Sequence, residues 1–327
     1  MGTPFNPGSG HINQALTNLV VKFPMSSRFI ADEIVNVVPV AKEADKFFEV
    51  DSNHLLDQSL RTPRAAGAES NEVTYSWREQ SYVCSEHALH ADLDHRTRDN
   101  ADNQLQLETL AAVTAREGVM LAKEIRAASI LFSGTYMTNT AATAARWDDS
   151  TASNIKLWND ILDAKRLVRK FGGVRPSHIA MSDASWTAVA KYLLAQAGTT
   201  AGVRWQGVAD VLREKPDEIP EAIAGLRLLV GDATYSSAKK PADVSRASSG
   251  GNISDVWTDN CLVFHKGTPG VRSVQLAARF MVNGYPRVKQ GTYAGPRGAD
   301  WYEYAELESG EKVIAASCGY LLTNTLT

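Results

Sequence analysis

Lys46-Phe47-Phe48-Glu49-Val50-Asp51, answered further along by Glu72-Val73-Thr74-Tyr75-Ser76-Trp77, is the pair of segments that decides how this chain is built. The first is aromatic and β-branched, with Phe47 and Val50 as its apolar positions. The second alternates strictly and sets Val73, Tyr75 and Trp77 on one face, so the pair predicts two strands of a hairpin. The tip between them, from Ser52 to Asn71, carries Arg61, Pro63, Arg64 and the small-residue run Ala65-Ala66-Gly67-Ala68, with little from which to make a core. A structureless loop of about 20 residues does not belong inside a compact domain unless it projects for a purpose. Residues 46–82 therefore read as an outward-reaching hairpin.

Upstream, residues 1 to about 27 hold isolated apolar groups (Ile12, Leu16, Leu19, Val20, Val21, Phe23) among turn formers. Such an arm cannot bury much surface on itself and must dock on the body or on another subunit. Phe29 to Val40 reads as a short helix leading into a strand, so that residues 1–45 form an arm and a first strand.

Downstream, Asp99 to Phe132 predicts one long helix, with acidic residues at its start and Ser133-Gly134 at its end. Leu107, Leu110, Thr114, Gly118, Leu121, Ile125, Ala128 and Phe132 fall on one stripe, the expected packing face. Leu105, Val119, Met120 and Leu131 lie off that stripe, which implies cover on more than one side. At about 1.5 Å per residue the helix is a rod roughly 50 Å long.

After the small-residue linker Thr138–Ala145 the texture becomes compact α/β. Ser153 is placed to cap a helix ending at Gly172-Gly173, His178-Ile179-Ala180-Met181 is a strand, and Ser182 caps the helix through Trp186. Leu226–Asp232 and Cys261–Phe264 are further strands, residues 274–308 return to alternating strands, and Gly319 to Asn324 is a last apolar strand. The fold class expected is α+β.

Composition narrows the function. The 327 residues carry 34 Lys+Arg against 37 Asp+Glu, a formal charge of −3, with no run of like charges. Tight sequence-independent binding of nucleic acid needs more cations than that. Cys84, Cys261 and Cys318 are scattered and odd in number, which argues against a disulfide framework and for a reducing compartment. No stretch has the apolar length of a membrane span.

The order of parts resembles the HK97-like major capsid proteins of tailed phages. The residues that carry the likeness are Phe29-Ile30-Ala31-Asp32 through Pro39, the 46–79 hairpin, the 99–132 helix, His178–Ser182 with Trp186, Trp257-Thr258-Asp259-Asn260, and Gly319 to Asn324. The resemblance implies an N-terminal arm, an extended loop, a peripheral domain (83–140 and 274–312) containing a spine helix, and an axial domain (141–273 and 313–327). It further implies hexamers and pentamers closing into an icosahedral shell around double-stranded DNA, in a virion capsid assembled in the host bacterial cytoplasm. Scaffolding and portal proteins, and a decoration or cement protein, are the implied partners. The absence of a helical pro-segment before the arm implies that the scaffold is a separate protein.

In that family the extended loop lies across a neighbouring subunit, which makes Arg61 and Arg64 at its tip the candidates for intersubunit ion pairs. Some members weld their shells through a lysine on this loop. Here no lysine occurs between Lys46 and Lys123, so a shell without covalent cross-links is expected.

Catalytic signatures are absent from the sequence: there is no GxSxG elbow, no Walker A pattern and no GxGxxG fingerprint. No cofactor, no catalytic residue and no enzymatic activity are expected. The one cluster of metal-like composition is His87, His90 and His95 with Asp92 and Asp94, whose spacing matches no common zinc motif. It leaves a soluble metal-dependent hydrolase as one rival, a polar junction as the plainer reading, and a pH response as a third. An encapsulin-like compartment shell, sharing the fold but enclosing protein cargo, is the nearer rival.

Overall fold

A computed structural model of the chain describes residues 11–22, 29–50, 63–64, 66–70, 77–100, 104–149, 155–196, 206–214, 219–236, 253–268, 274–293 and 298–326. The N-terminal third runs β1 (His11–Ile12), α1 (Gln14–Lys22), α2 (Ala31–Ile34), β2 (Asn36–Val40), β3 (Ala44–Val50), β4 (Trp77–Val83), β5 (Ser85–Asp94), α3 (His95–Asp99) and α4 (Gln104–Leu131). It continues with β6 (Thr140–Ala142), α5 (Leu157–Gly172), β7 (His178–Ser182), α6 (Asp183–Gln196), α7 (Gln206–Glu214), β8 (Ala222–Ile223) and β9 (Leu226–Gly231). The remainder is β10 (Thr234–Ser236), β11 (Ile253–Asp255), β12 (Cys261–Phe264), β13 (Ala277–Val282), β14 (Arg287–Thr292), β15 (Ala299–Val313) and β16 (Gly319–Thr323).

Two sheets organise the chain. The second, in the order β6-β16-β12-β7-β9-β8, is built from short apolar strands. Strand alternation divides β7 between two cores: Ile179 and Met181 face the helical layer with Ile161, Val168 and Trp186, while Ala180 faces Leu131, Trp257 and Leu262. The helical layer is amphipathic by design of its sequence: Leu157, Ile161, Ala164, Val168 and Gly172 make the buried stripe of α5. Each fully buried Leu, Ile or Val there contributes roughly 1.5–3 kcal/mol. The helix stops at Gly173, whose φ of +67° is the left-handed cap that glycine adopts without a Cβ penalty. Ser182 caps α6 as expected, its Oγ accepting the Ser185 N–H at 3.1 Å.

In the first sheet the 15-residue β15 is the central member. Its first half lies between β14 and β5, and its second half pairs with β13, to which β2 adds in parallel. The register slips between Arg279 and Met281, where Gly310 at φ +70° inserts an extra residue into β15.

Helix α4 crosses both sheets. Its middle packs on β5 and β15 through Val113 and Val119 beside Tyr302 and Tyr304, and its end packs through Ala127, Ala128, Leu131 and Phe132 on the second sheet. Of the long helix expected over 99–132, α4 supplies Gln104–Leu131; Asp99 ends α3, and residues 101–103 lie outside the described residues.

The N-terminal segment is more ordered than its isolated apolar residues implied. Leu16 and Val20 of α1 are buried against Val113, Val288 and Tyr304. Asn13 Oδ1 caps the helix start by accepting the Leu16 N–H at 2.9 Å, and Arg116 donates to the Val20 carbonyl at its end. Of the two docking sites left open for the arm, this part uses the body. The Ser153 cap and most of the 72–77 strand lie outside the described residues.

Candidate assembly surfaces and a buried charged junction

The hairpin expected at 46–82 is present at its base. Strands β3 and β4 pair antiparallel from Ala44 opposite Val83 to Val50 opposite Trp77, and pair with no other described strand. Its root is fixed by aromatic packing: Tyr82 stacks on Phe280 at 4.4 Å between ring centroids, and Phe47 lies against the same ring at 4.9 Å. Phe47 therefore anchors the hairpin rather than reaching outward. On the ribbon Lys46 and Glu79 are exposed and pair across it at 2.8 Å. A two-stranded ribbon alone is marginal in water, so this one gains its stability from what lies beneath or across it. Arg64 is exposed; Arg61, Val73 and Tyr75, with the side chains of Val50 and Trp77, lie outside the described residues.

The expected packing stripe of the spine helix needs correction. Phe132 is buried and Leu107 and Leu121 are half-buried, but Leu110 is 59% exposed and Ile125 39% exposed. The face that meets the sheets carries Val113, Met120, Glu124, Ala127 and Leu131 instead, roughly a quarter turn away. Leu89 of β5, itself 48% exposed, leans over Gly118, where an added Cβ would come within 2.6 Å of it. Leu89, Leu110 and Ile125 are apolar groups left uncovered within one subunit.

The three histidines do not converge. On β5, His87 and His90 sit three positions apart and so point to opposite faces. His87 lies among Arg126, Lys123, Glu306 and Glu311, and burial with the nearby Arg126 lowers its pKa. His90 Nε2 approaches Asp92 at 3.8 Å on the other face. His95 begins α3 and meets Asp300 at 3.0 Å, where Arg98 and Thr292 also bind the carboxylate. Among the described residues no group of three or more His, Cys, Asp or Glu is arranged to hold a metal ion. The plainer reading, a polar junction, fits these positions.

The feature that the sequence did not reveal is a buried charge network beneath the hairpin root. Arg279, fully buried, contacts Asp32 at 2.5 Å, Glu308 at 3.0 Å and Glu311 at 2.7 Å. Arg126 binds Glu308 as well, and Lys123 binds Glu306 at 2.7 Å. The extra residue at Gly310 lets Glu308 and Glu311 address the same guanidinium. With Glu124 at its edge, the cluster sets five carboxylates (Asp32, Glu124, Glu306, Glu308, Glu311) against three cations (Lys123, Arg126, Arg279).

Burial, set against the nearby cations, decides the protonation. Burial pushes Glu124 up to about 7 and raises Glu308, whereas Lys123 and Arg279 outweigh burial at Asp32 and lower it. One sequence signal was available: Glu303, Glu306, Glu308 and Glu311 punctuate a strand that is otherwise aromatic and apolar.

No protein-family model and no curated protein matches the chain. Solved structures do. A phage-related protein from Bordetella bronchiseptica aligns over 97% of this chain and 98% of its own, at 16% identity and a TM-score of 0.67. The capsid of cyanophage P-SCSP1u aligns over 92% and 89%, at 12% identity and a TM-score of 0.58. A virus-like particle from Pyrococcus furiosus aligns over 94% and 98%, at 8% identity and a TM-score of 0.53. The chain has the α+β fold of HK97-like capsid proteins. The likeness covers 92–97% of the chain in these three structures.

Proposed function

We propose that the chain is a major capsid protein that assembles through hexamers and pentamers into an icosahedral shell enclosing phage double-stranded DNA. The observation that carries this reading is coverage: solved capsid structures align over 92% of the chain. Its role is structural rather than catalytic, and its place is the virion capsid, assembled in the host bacterial cytoplasm. Scaffolding, portal and decoration proteins are its expected partners.

On this reading the first sheet with α4 is the peripheral domain (83–140 and 274–312), and the second sheet with α5–α7 is the axial domain (141–273 and 313–327). The extended loop lies across a neighbouring subunit, where Arg61 and Arg64 form ion pairs. Reversing both charges is expected to abolish shell formation; normal shells from that variant would remove the two arginines from the interface.

Electron microscopy of the purified native protein tests the whole proposal. Closed shells are expected, and a small soluble oligomer under all assembly conditions would refute it. The virus-like particle alignment supports a second reading, a compartment shell around protein cargo. Particle contents decide between the two, packaged genome for the first and enzyme without genome for the second.

A further inference from the structure

At one end of the second sheet, strand register gathers positive charge. His178 begins β7 and pairs with Arg227 of β9 on one side and Phe264 of β12 on the other, stacking its ring on Phe264 at 5.3 Å. The chain leaves β12 as His265 and Lys266. Three adjacent strands thus deliver His178, Arg227, His265 and Lys266 to a single edge. A cleft of about 470 Å³ opens there, with Ser177, His178, His265, Lys266 and Thr268 among its polar lining and Val174 and Val274 as apolar walls.

Counter-charge is scarce. Among the described residues no carboxylate lines the cleft. Glu33 reaches in from α2 but is engaged by Arg227 at 3.3 Å, on a solvent-exposed side. Among the described residues the half-buried Lys266 ammonium has no hydrogen-bond or ion-pair partner. The surroundings register the crowding: burial with Lys266, Arg227 and His265 holds His178 down to about 4, and burial with Arg227 lowers Lys266 against the opposing pull of Glu33 and Asp32.

The ring tautomers are set as well. His265 Nδ1–H donates to the Arg175 carbonyl at 2.8 Å, which spends that N–H on the backbone and leaves His265 as a spacer rather than a donor in the cleft. Ser177 Oγ accepts the Lys266 backbone N–H at 3.3 Å and lies 2.7 Å from His178 Nδ1; with the hydroxyl hydrogen on Nδ1, the imidazole proton resides on Nε2.

We propose that this end of the sheet is an oxyanion site that takes a phosphate group, with Lys266 as its charge partner and His178 Nε2–H as a lateral donor. A charge-assisted hydrogen bond from the ammonium, joined by a neutral N–H from the neighbouring strand, suits a compact tetrahedral anion with acceptors on every side. The phosphate has two sources, free phosphate in solution or the phosphodiester of a nucleic acid. The site is a property of the folded subunit and stands whether or not subunits form shells.

Titration calorimetry of the native protein with inorganic phosphate, against chloride at equal ionic strength, tests the site. Saturable binding is expected, weakened about tenfold or more in Lys266→Gln and unchanged in Lys42→Gln, which alters an exposed lysine on the hairpin side. If Lys266→Gln does not fold, His178→Phe, which keeps an aromatic ring against Phe264 and removes the ring donor from the lining, is read in its place. A short DNA duplex forms the second arm. Duplex that competes with phosphate and binds more weakly to the variant identifies the phosphodiester as the source; phosphate binding with duplex binding unaffected by the variant identifies free phosphate. No saturable phosphate binding by the folded native protein, or equal affinity in native and variant, overturns the proposal.

Discussion

The indole Nε1 of Trp257 donates to Glu124 Oε2 at 2.8 Å, while Oε1 of the same carboxyl accepts the Ala31 N–H at 2.6 Å. One buried side chain on the spine helix thereby joins the segment before β12 to the start of α2, across separations of 133 and 93 residues. The joint lies at the edge of the charge network and between the two sheets.

Glu124 makes stability pH-dependent in a definite direction. Its pKa of about 7 in the fold stands above the 4.5 of the unfolded chain, so the folded state holds the proton more tightly. The associated stability is complete below about 4.5 and is lost as pH rises through 7. Melting temperature should fall between pH 5 and pH 8, and Glu124→Gln should flatten that fall while costing about 1–3 kcal/mol at pH 5, because its amide cannot accept from both donors. Parallel slopes in parent and variant, by scanning calorimetry, would count against Glu124 as the titrating group.

Arg279→Met should destabilise the subunit by about 3–5 kcal/mol, because Glu308 and Glu311 stay buried without their guanidinium. Arg279→Lys should recover little of this, since one ammonium cannot replace contacts made by three guanidinium nitrogens. Denaturant midpoints of the three proteins measure both effects.

Gly231→Ala should displace Trp257. A Cβ at that position would lie 2.3 Å from the indole Cδ1, so the ring must move and with it the bond to Glu124. The expected cost is about 1–3 kcal/mol with altered tryptophan emission; an unchanged midpoint would mean that the ring relocates freely.

Tyr82→Ala should loosen the hairpin root, removing the ring that stacks on Phe280. Far-UV circular dichroism is expected to stay close to the parent's, while particle yield in an assembly assay drops. Full yield would separate the aromatic root from assembly.

Boiled, denatured particles should run on a gel as a single band near the chain mass of 35.5 kDa. A ladder of covalent multimers would reveal a cross-link that the lysine-free stretch between Lys46 and Lys123 does not foresee.

Much of the fold is legible along the chain because its signals are local. The α5 stripe ending at Gly173, the Ser182 cap and the apolar runs of β7, β12 and β16 are periodicities and turn preferences that operate within a few residues. The base of the hairpin is readable for the same reason, since an aromatic, β-branched segment and an alternating one flank a stretch with little from which to make a core.

Burial is not local, and there the reading of the sequence diverged from the fold. Leu110 and Ile125 satisfy a helical repeat, yet which face of α4 is covered depends on β5, β15 and the second sheet, distant in sequence and close in space. Glu306, Glu308 and Glu311 look like a solvated strand face until Arg279 and the spine-helix cations fold over them. By itself the sequence determined the elements, their order and the likeness to a capsid subunit, because backbone propensity and periodicity are short-range. Only the tertiary structure decided which charges lose water, which must then pair or take up a proton, and which apolar groups a single subunit leaves open, because desolvation depends on everything packed around a group.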